Sequence, residues 1–381
     1  MRRLPLRGAT HRPAGRRQSV TSEGNGRPHY NFKAPLDAAA AASTDPLLSS
    51  LIATPAFARL SNVRFLGGID YARIPAPNGR PGSRRYTRYQ HSLGVARLAL
   101  LYADLRGLPP QDRRLIGAAA LLHDIGHAPL SHSLEPVFKE HFGIDHHAAT
   151  ADILHGRVPL GQDVNGLLVR AGLDVGRLAA VIDGEDPGHE GFFGGPINFD
   201  TIEGILRSHT YERPAPRLSP ETVMLAAVRR RDTADRDTVD EFWRCKDMVY
   251  GVIINSEKGM LADAVCQDAM RRAIGRFSRA DYFITERRLF AKLPELRALL
   301  TAPHFEREAR RALTAPLRAR TRRFFTDPDS DFFARHDKAR YRQQRSERIL
   351  EVSDLTDERI EELRQDLFND ARGDREGQDL F

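Results

Sequence analysis

Apolar positions recur with helical spacing along most of this chain. In DPLLSSLIATPAFARL the pattern runs through Leu47, Leu48, Leu51, Ile52, Phe57 and Leu60, with Asp45 placed to cap the first turn. From His91 to Leu105 it runs through Leu93, Ala96 and Leu100 and, one face over, Val95, Leu98 and Tyr102. Asp112 is the expected cap of the next helix, whose unbroken apolar run Leu115–Leu122 reads as fully buried. The same spacing predicts helices over Ser131–Phe142, His146–Leu154, Asp174–Ile182, Phe199–Ser208, Pro220–Val228, Val239–Ile254 and Glu257–Ile274. No run alternates apolar and β-branched residues over enough length for a large sheet. The expectation is an all-α fold with additional C-terminal helices and at most a small β-hairpin.

Organisation follows from the same pattern. Residues 1–44 lack an apolar face and read as a disordered basic tail. Residues 45–300 read as one helical domain, with a linker-like excursion over 213–238, where prolines precede RRRDTADRDT. Residues 301–381 read as a helical, Arg-rich extension, with the part from Ser346 helical in pattern. There is no internal repeat.

Composition changes this picture in one respect. The chain of 381 residues is 41% hydrophobic and 29% charged, ordinary for a globular protein. Its formal charge is +7, but residues 1–30 hold seven arginines and one acid, Glu23, so +6 of it sits in the tail. The remainder is nearly neutral, and global basicity is weak evidence for nucleic acid. The tail has no apolar core of the secretory type; it reads as an organellar transit peptide, a non-specific basic arm or a misassigned start. No apolar run approaches the roughly 18–20 residues of a membrane span, so no membrane partner is expected. Two cysteines, Cys245 and Cys266, make no disulfide framework and point to a reducing cytoplasm.

The buried run ends at His123-Asp124, in LLHDIGHAPLSH. An imidazole beside a carboxylate suits a divalent metal, and an ionisable pair at the end of a buried helix is costly without a partner. His91 opens the preceding helix and is the best third ligand; Asp200, in PINFDTIEGILRSHTYE, is the best fourth. His127 lies four residues after His123 and would share its face if the helix continued. Nitrogen and carboxylate ligands suit Mn, Fe, Co, Ni or Zn, whereas Mg favours oxygen.

The order His, then His-Asp, then Asp resembles the HD-domain phosphohydrolase superfamily. The blocks LIATPAFARLSNVRFLGG, RYQHSLGVARLA, LLHDIGHAPLSHSLE and HHAATADIL are similar to successive blocks of its dNTP triphosphohydrolase branch over roughly residues 45–210. A weaker similarity continues through FWRCKDMVYGVIINSEKGMLADAV and FSRADYFITERRLFAKL. The resemblance implies metal ligands at His91, His123, Asp124 and Asp200. It implies that His146 acts as general acid or polarises phosphate, oriented by Glu135, and that His127 and His132 bind phosphate oxygens or a second metal. Either histidine reads otherwise as a helix cap or core hydrogen-bonder. Arg88 matches a phosphate-contacting arginine, against the alternative of a solvated loop residue beside Arg84 and Arg85. Lys246 loosely matches a downstream phosphate-binding arginine, and Arg207 keeps the family's character, as does Glu203. A metal that lowers the pKa of its water makes hydroxide available at neutral pH for in-line attack on phosphorus. Homo-oligomers are expected by analogy.

The departures fall on the sugar side. Phe65 stands where the branch has a glutamine, and Thr201, Gly204 and Ser208 stand where it has a lysine, a tyrosine and a second aspartate. Losing groups that hold a sugar hydroxyl removes discrimination, and Gly204 is expected to leave more room. The leading expectation is metal-dependent hydrolysis of a nucleotide or related phosphate compound. The rivals are a nuclease or phosphodiesterase on single-stranded nucleic acid and a non-catalytic nucleotide-binding regulator. HFEREARRALTAPLRARTRRFF reads as a basic helix for a polyanion or as a solvated helical face. GFFGGP, just before Asp200, reads as a gate or as a plain connection, and the Phe pairs at 192–193, 324–325 and 332–333 as core or oligomer contacts.

Overall fold

The computed structural model describes residues 45–72, 85–189, 192–212, 218–333 and 340–351. The basic tail, the start of the proposed linker and the C-terminal end lie outside these residues. Among the described residues the fold is all-α, with one small antiparallel hairpin after the last helix.

Two short helices, α1 (Pro46–Ile52) and α2 (Pro55–Arg59), open it, and Asp45 caps α1 by accepting from the amides of Leu47 and Leu48. A 3-10 turn at Leu60–Asn62 follows, and a single antiparallel bridge joins Arg64 to Thr87 before a second such turn at Gly67–Asp70. Phe65 N donates to Tyr86 O, and Arg88 N donates to Val63 O. This short pairing sets Phe65 beside the start of α3 (Arg88–Leu105), whose first turn is closed by a reciprocal Thr87–Gln90 capping box. Next come α4 (Pro110–Leu122), α5 (Glu135–Phe142), α6 (His146–Leu154), α7 (Gln162–Arg170), α8 (Val175–Asp183) and α9 (Phe199–Glu212). Asp112 does not cap α4. The helix starts earlier because Pro110 supplies its first turn, leaving Asp112 inside that turn, where a carboxylate still favours the helix dipole.

The excursion expected over 213–238 is largely regular structure. Helix α10 (Pro220–Arg229) is capped by Ser219, and α11 (Thr233–Val249) by Asp232, which accepts from Asp235 N. Of RRRDTADRDT, Arg229 ends α10 and Arg230–Asp232 join it to α11, where the buried Asp235 accepts from Arg229 and from Arg231 N; Val239, Phe242 and Trp243 are buried below. After a π turn at Tyr250–Ile254 come α12 (Glu257–Arg272), α13 (Glu286–Lys292), α14 (Pro294–Leu300) and α15 (Phe305–Ala312).

The extension expected to be helical over 301–381 is helical only at its start, and its part from 352 lies outside the described residues. Helix α15 stops at Ala312, and β1 (Leu317–Thr326) pairs with β2 (Tyr341–Leu350). Leu317, Ala319, Thr321 and Phe324 of β1 are buried where the strand meets α11 and α12. Trp243 Nε1 donates to Phe325 O at 3.0 Å, and Asp240 holds both Arg340 and Tyr341.

The core that matters for function is the packing of α4 on α3, with α9 on the other side of α3 and α11 behind α9. Almost every residue from Leu115 to Leu122 is inaccessible, so α4 delivers His123 into the interior. No helix among the described residues is long and apolar enough to cross a membrane.

Candidate metal centre

Three helices converge on His91, in the first turn of α3. His123 follows the last residue of α4, and Asp200 is in the first turn of α9. His91 Nε2 lies 2.9 Å from Asp200 Oδ1 and 3.6 Å from Asp124 Oδ2, and His123 Nε2 lies 3.5 Å from Asp124 and 3.7 Å from Asp200. One ligand atom each from His91, His123 and Asp200 falls within 4.8 Å of the others, close enough to hold a metal ion. Asp124 borders this group but is also engaged elsewhere: Arg88 Nη1 reaches it at 2.8 Å and His127 Nε2 at 3.1 Å.

The imidazoles are held from behind. His123 Nδ1 lies 2.9 Å from Ala120 O, which leaves Nε2 turned to the carboxylates, buried and without a hydrogen-bond partner. His91 Nδ1 lies 2.5 Å from Glu203 Oε2, one turn beyond Asp200 on α9. Glu203 is fully buried and held in turn by Arg207 Nε at 3.0 Å. A metal-binding imidazole usually has its second nitrogen engaged in this way. Burial pushes the His91 pKa down, but the Glu203 charge and the hydrogen bonds to Asp200 and Glu203 reverse this and raise it to about 9. Burial also opposes the Asp124 charge, yet Arg88, His123 and His127 hold its carboxyl well below the usual range. Two imidazole nitrogens and two aspartates face one point here, and the buried Nε2 of His123 has no hydrogen-bond partner. The donor set therefore fits a divalent metal.

A second constellation adjoins the first. His127, His132, Glu135 and His146 bring one ligand atom each within 4.8 Å. His146 Nδ1 sits 2.6 Å from Glu135 Oε2, and the His146 ring stacks on His127 at 4.6 Å and 5°. His132 is the outer member, its side chain 60% exposed and its Nδ1 4.0 Å from Glu135. Burial would lower the His146 pKa, but the hydrogen bond and charge of Glu135 raise it. The two groups meet because the HDIG turn rests directly on α6. A Cβ at Gly126 would lie 2.3 Å from Thr150 N and 2.4 Å from His146 O, so glycine is required for that approach.

The remaining candidate residues are placed as follows. Arg88 Nε donates to Ser131 Oγ at 3.0 Å, and its guanidinium lies over Phe65 at 4.9 Å. Arg207 is turned to Glu203, to Gln90 O at 3.1 Å and to the face of Tyr86, so it supports His91 through Glu203. Lys246, on α11, donates to Pro196 O at 3.2 Å and sits over Trp243. Burial lowers its pKa to about 8 against the pull of Asp200. Phe193, in the GFFGGP loop, stacks on His123 at 5.5 Å, and Asn198 ties that loop by donating to Phe193 O.

Gly204 does not leave open room. A Cβ there would meet Phe65 Cζ at 3.4 Å and His91 Cε1 at 3.6 Å, because the Phe65 ring packs on His91 at 4.7 Å. Two changed positions thus fit each other.

Three supporting residues carried no sequence signal beyond lying in quoted blocks. Arg59 donates to the carbonyls of Ile125 and His127, both at 2.8 Å, and so fixes the HDIG turn. Ser131 receives Arg88 and donates to Arg64 O at 2.7 Å. Glu286 accepts from Arg64 N at 2.7 Å, from Leu130 N at 3.2 Å and from the Tyr71 hydroxyl. It thereby holds a stretch in which Leu130 and Ser131 both have positive φ, at 59° and 46°.

A helical body that gathers a histidine, a His-Asp pair and a later aspartate around one point defines a class of metal-binding domain. Residues 88–163 match the family model of the HD domain, and the chain contains that domain. Over part of its length it is similar to proteins named as dNTP triphosphohydrolases. It is 35% identical over 100 residues to human deoxynucleoside triphosphate triphosphohydrolase SAMHD1, covering 24% of this chain and 15% of that one. It is 39% identical over 77 residues to a deoxyguanosinetriphosphate triphosphohydrolase-like protein of Rhodopseudomonas palustris, covering 19% and 18%. It is 37% identical over 123 residues to the uncharacterized protein YwfO of Bacillus subtilis, covering 31% and 26%. The matched region thus spans about a quarter or less of each of these relatives.

Proposed function

We propose that this chain is a divalent-metal-dependent phosphohydrolase acting on a nucleotide or a related phosphate ester or anhydride. The observation that carries the reading is the buried, unpartnered Nε2 of His123 facing Asp200 and Asp124, beside a separate His146–Glu135 pair. His91, His123, Asp124 and Asp200 would hold the ion, which supplies water activation at neutral pH and polarises a phosphoryl oxygen. Arg88 neutralises phosphate charge, while His127 and His132, whose pKa values burial pushes down, meet phosphate oxygens as neutral hydrogen-bond donors. Glu135 fixes His146 through Nδ1 and keeps the ring protonated, so that Nε2 gives its proton to the leaving oxygen as the P–O bond breaks. The names of the relatives support a nucleoside triphosphate as the first substrate to try. Phe65, Thr201, Gly204 and Ser208 support a substrate whose sugar is read differently or not at all.

The test is metal analysis of the purified protein, with a screen of dNTPs, NTPs, dinucleotides and single-stranded oligonucleotides against Mn, Fe, Co, Ni, Zn and Mg. Metal-dependent turnover is expected, falling at least ~10³-fold in His123→Ala together with metal content. Undiminished turnover in chelator-treated, metal-free protein would overturn the reading. Saturable nucleotide binding with no product under any metal would replace it with a regulatory one.

A further inference from the structure

The terminal hairpin carries a charge pattern that packing does not require. Strand β1 reads LRARTRRFFT and β2 reads YRQQRSERIL: seven arginines and a single acid, Glu347, in twenty residues. Arg318, Arg320 and Arg322 are exposed, alternating with the buried Leu317, Ala319 and Thr321. Strand β2 is exposed at every position from Arg342 to Ile349. The register sets Arg318 opposite Ile349, Arg320 opposite Glu347 and Arg322 opposite Arg345. Glu347 reaches both Arg318 and Arg320, at 3.5 Å and 3.2 Å. Two arginines directly opposite each other destabilise a ladder, and nothing in the core calls for the pair at 322 and 345.

We infer that the outward face formed by Arg318, Arg320, Arg322 and Arg345 binds the phosphate backbone of a nucleic acid. Same-face residues of a strand recur every ~6.6 Å, close to two nucleotide steps of a stacked strand at about 3.4 Å each. A row of guanidiniums at that interval follows a linear polyanion. A two-stranded ribbon is also narrow enough for a major groove. The Arg322 guanidinium lies over the Tyr250 ring at 5.8 Å, and the other three positions present guanidiniums alone, so recognition rests on phosphate contacts and is independent of base sequence. Charge on an exposed edge also discourages pairing with another chain. That role is served by either sign and does not explain the near-absence of acids. None of these four arginines is among the groups gathered around His91, although the Arg322 charge adds to the burial that lowers the Lys246 pKa. The inference therefore stands whether or not the bound strand is hydrolysed.

The experiment uses the full chain and a short labelled oligonucleotide, single-stranded and duplex, with binding followed by anisotropy over a salt series. Arg318→Gln/Arg320→Gln/Arg345→Gln should lower the slope of log affinity against log salt by about 2–3 and the low-salt affinity by ~100-fold or more. Its melting temperature and its turnover of nucleotides should match the wild type. Glu347→Gln, which removes the one opposing charge, should tighten binding several-fold, a gain that a misfolded ribbon would not give. Wild-type affinity and slope in the triple variant would assign any binding to the arginines of residues 1–30 and overturn the inference. Weaker binding in Glu347→Gln, no binding at low salt, or binding confined to anionic lipid vesicles would overturn it too.

Discussion

The two sides of His91 are built on different principles. Toward Asp124 and His146, and behind the ring at Glu203, almost every group is ionisable and held by a partner of opposite charge: Asp124 by Arg88, Glu203 by Arg207, His146 by Glu135. Toward Phe65 and Gly204 the contacts are van der Waals: a ring on an imidazole at 4.7 Å and a glycine one helical turn past Asp200 that gives that ring its space. Removing one member of a buried charged pair strands the other, at a cost of several kcal/mol. Exchanging apolar volume costs about 1 kcal/mol when the total is kept. The charged side can thus change little without losing its chemistry, whereas the packed side can be remodelled for another substrate. The replaced positions at 65 and 204 both lie on the packed side.

That contrast is sharpest at Glu135. His146→Ala should lower kcat by ~10²–10⁴-fold with little change in KM, the range of a lost general acid. Glu135→Gln tests the same pair through pH. In the wild type, burial lowers the His146 pKa, and Glu135 more than reverses this by hydrogen bond and charge. The protonated ring therefore persists to higher pH than an isolated imidazole would. In Glu135→Gln the alkaline limb of the kcat profile should move to lower pH. A limb that stays in place would mean that His146 is not the acid and that the charged side is only a binding surface.

A smaller effect is expected one layer out, at Glu286. Burial raises its pKa from 4.5 to about 7, against the hydrogen bonds it accepts from Arg64 N, from Tyr71 and from Leu130 N. Because the folded state holds this proton more tightly than the unfolded chain, stability should fall as pH rises from about 4.5 to 7. The span is on the order of 3 kcal/mol. Glu286→Gln should flatten that dependence in denaturant melts at about pH 5 and about pH 8. Glu286→Ala leaves two buried amides without an acceptor and should cost ~2–4 kcal/mol. It should also raise KM more than it lowers kcat, because Ser131, beside Leu130, positions Arg88. Equal losses in Gln and Ala variants, with an unchanged pH slope, would show that this carboxylate does not set the geometry around Arg88.

How much of this was legible in the sequence depended on how local each signal is. The run Leu115–Leu122 and the His-Asp pair at its end lie within one helix and its cap, so they could be read directly. The resemblance then extended that reading to Glu135 and His146, which meet across eleven residues. Glu286 and Arg59 act on backbone atoms 156 and 66 or more residues away, and no periodicity marks such a partner. A small hairpin was allowed for, but its position was hidden for another reason. Only alternate positions of the first half of β1 are apolar or small, and β2 faces solvent almost throughout, so neither strand shows enough alternation to compete with the helical charge spacing of α15 just before it. At Pro220–Arg229 helical spacing and linker-like composition disagreed, and the apolar spacing of Val223, Met224 and Ala226 prevailed.

The gentlest probe of the packed side is Gly204→Ala. Gly204 lies inside α9, where glycine costs about 0.5–1 kcal/mol relative to alanine. The new methyl would find Phe65 Cζ at 3.4 Å, His91 Cε1 at 3.6 Å and Asp200 Oδ1 at 4.0 Å, all ordinary contacts. The variant should therefore melt about 1–2 °C higher, from roughly the 0.5–1 kcal/mol that helix propensity gives. If kcat/KM is unchanged, the bare glycine serves only to seat Phe65, and substrate does not approach α9 there. If kcat/KM drops while the melting temperature rises, the missing side chain is space that the substrate uses. A lower melting temperature would break the comparison itself, since it would mean that Phe65 cannot yield by a few tenths of an ångström and that the packed side is as tightly determined as the charged one.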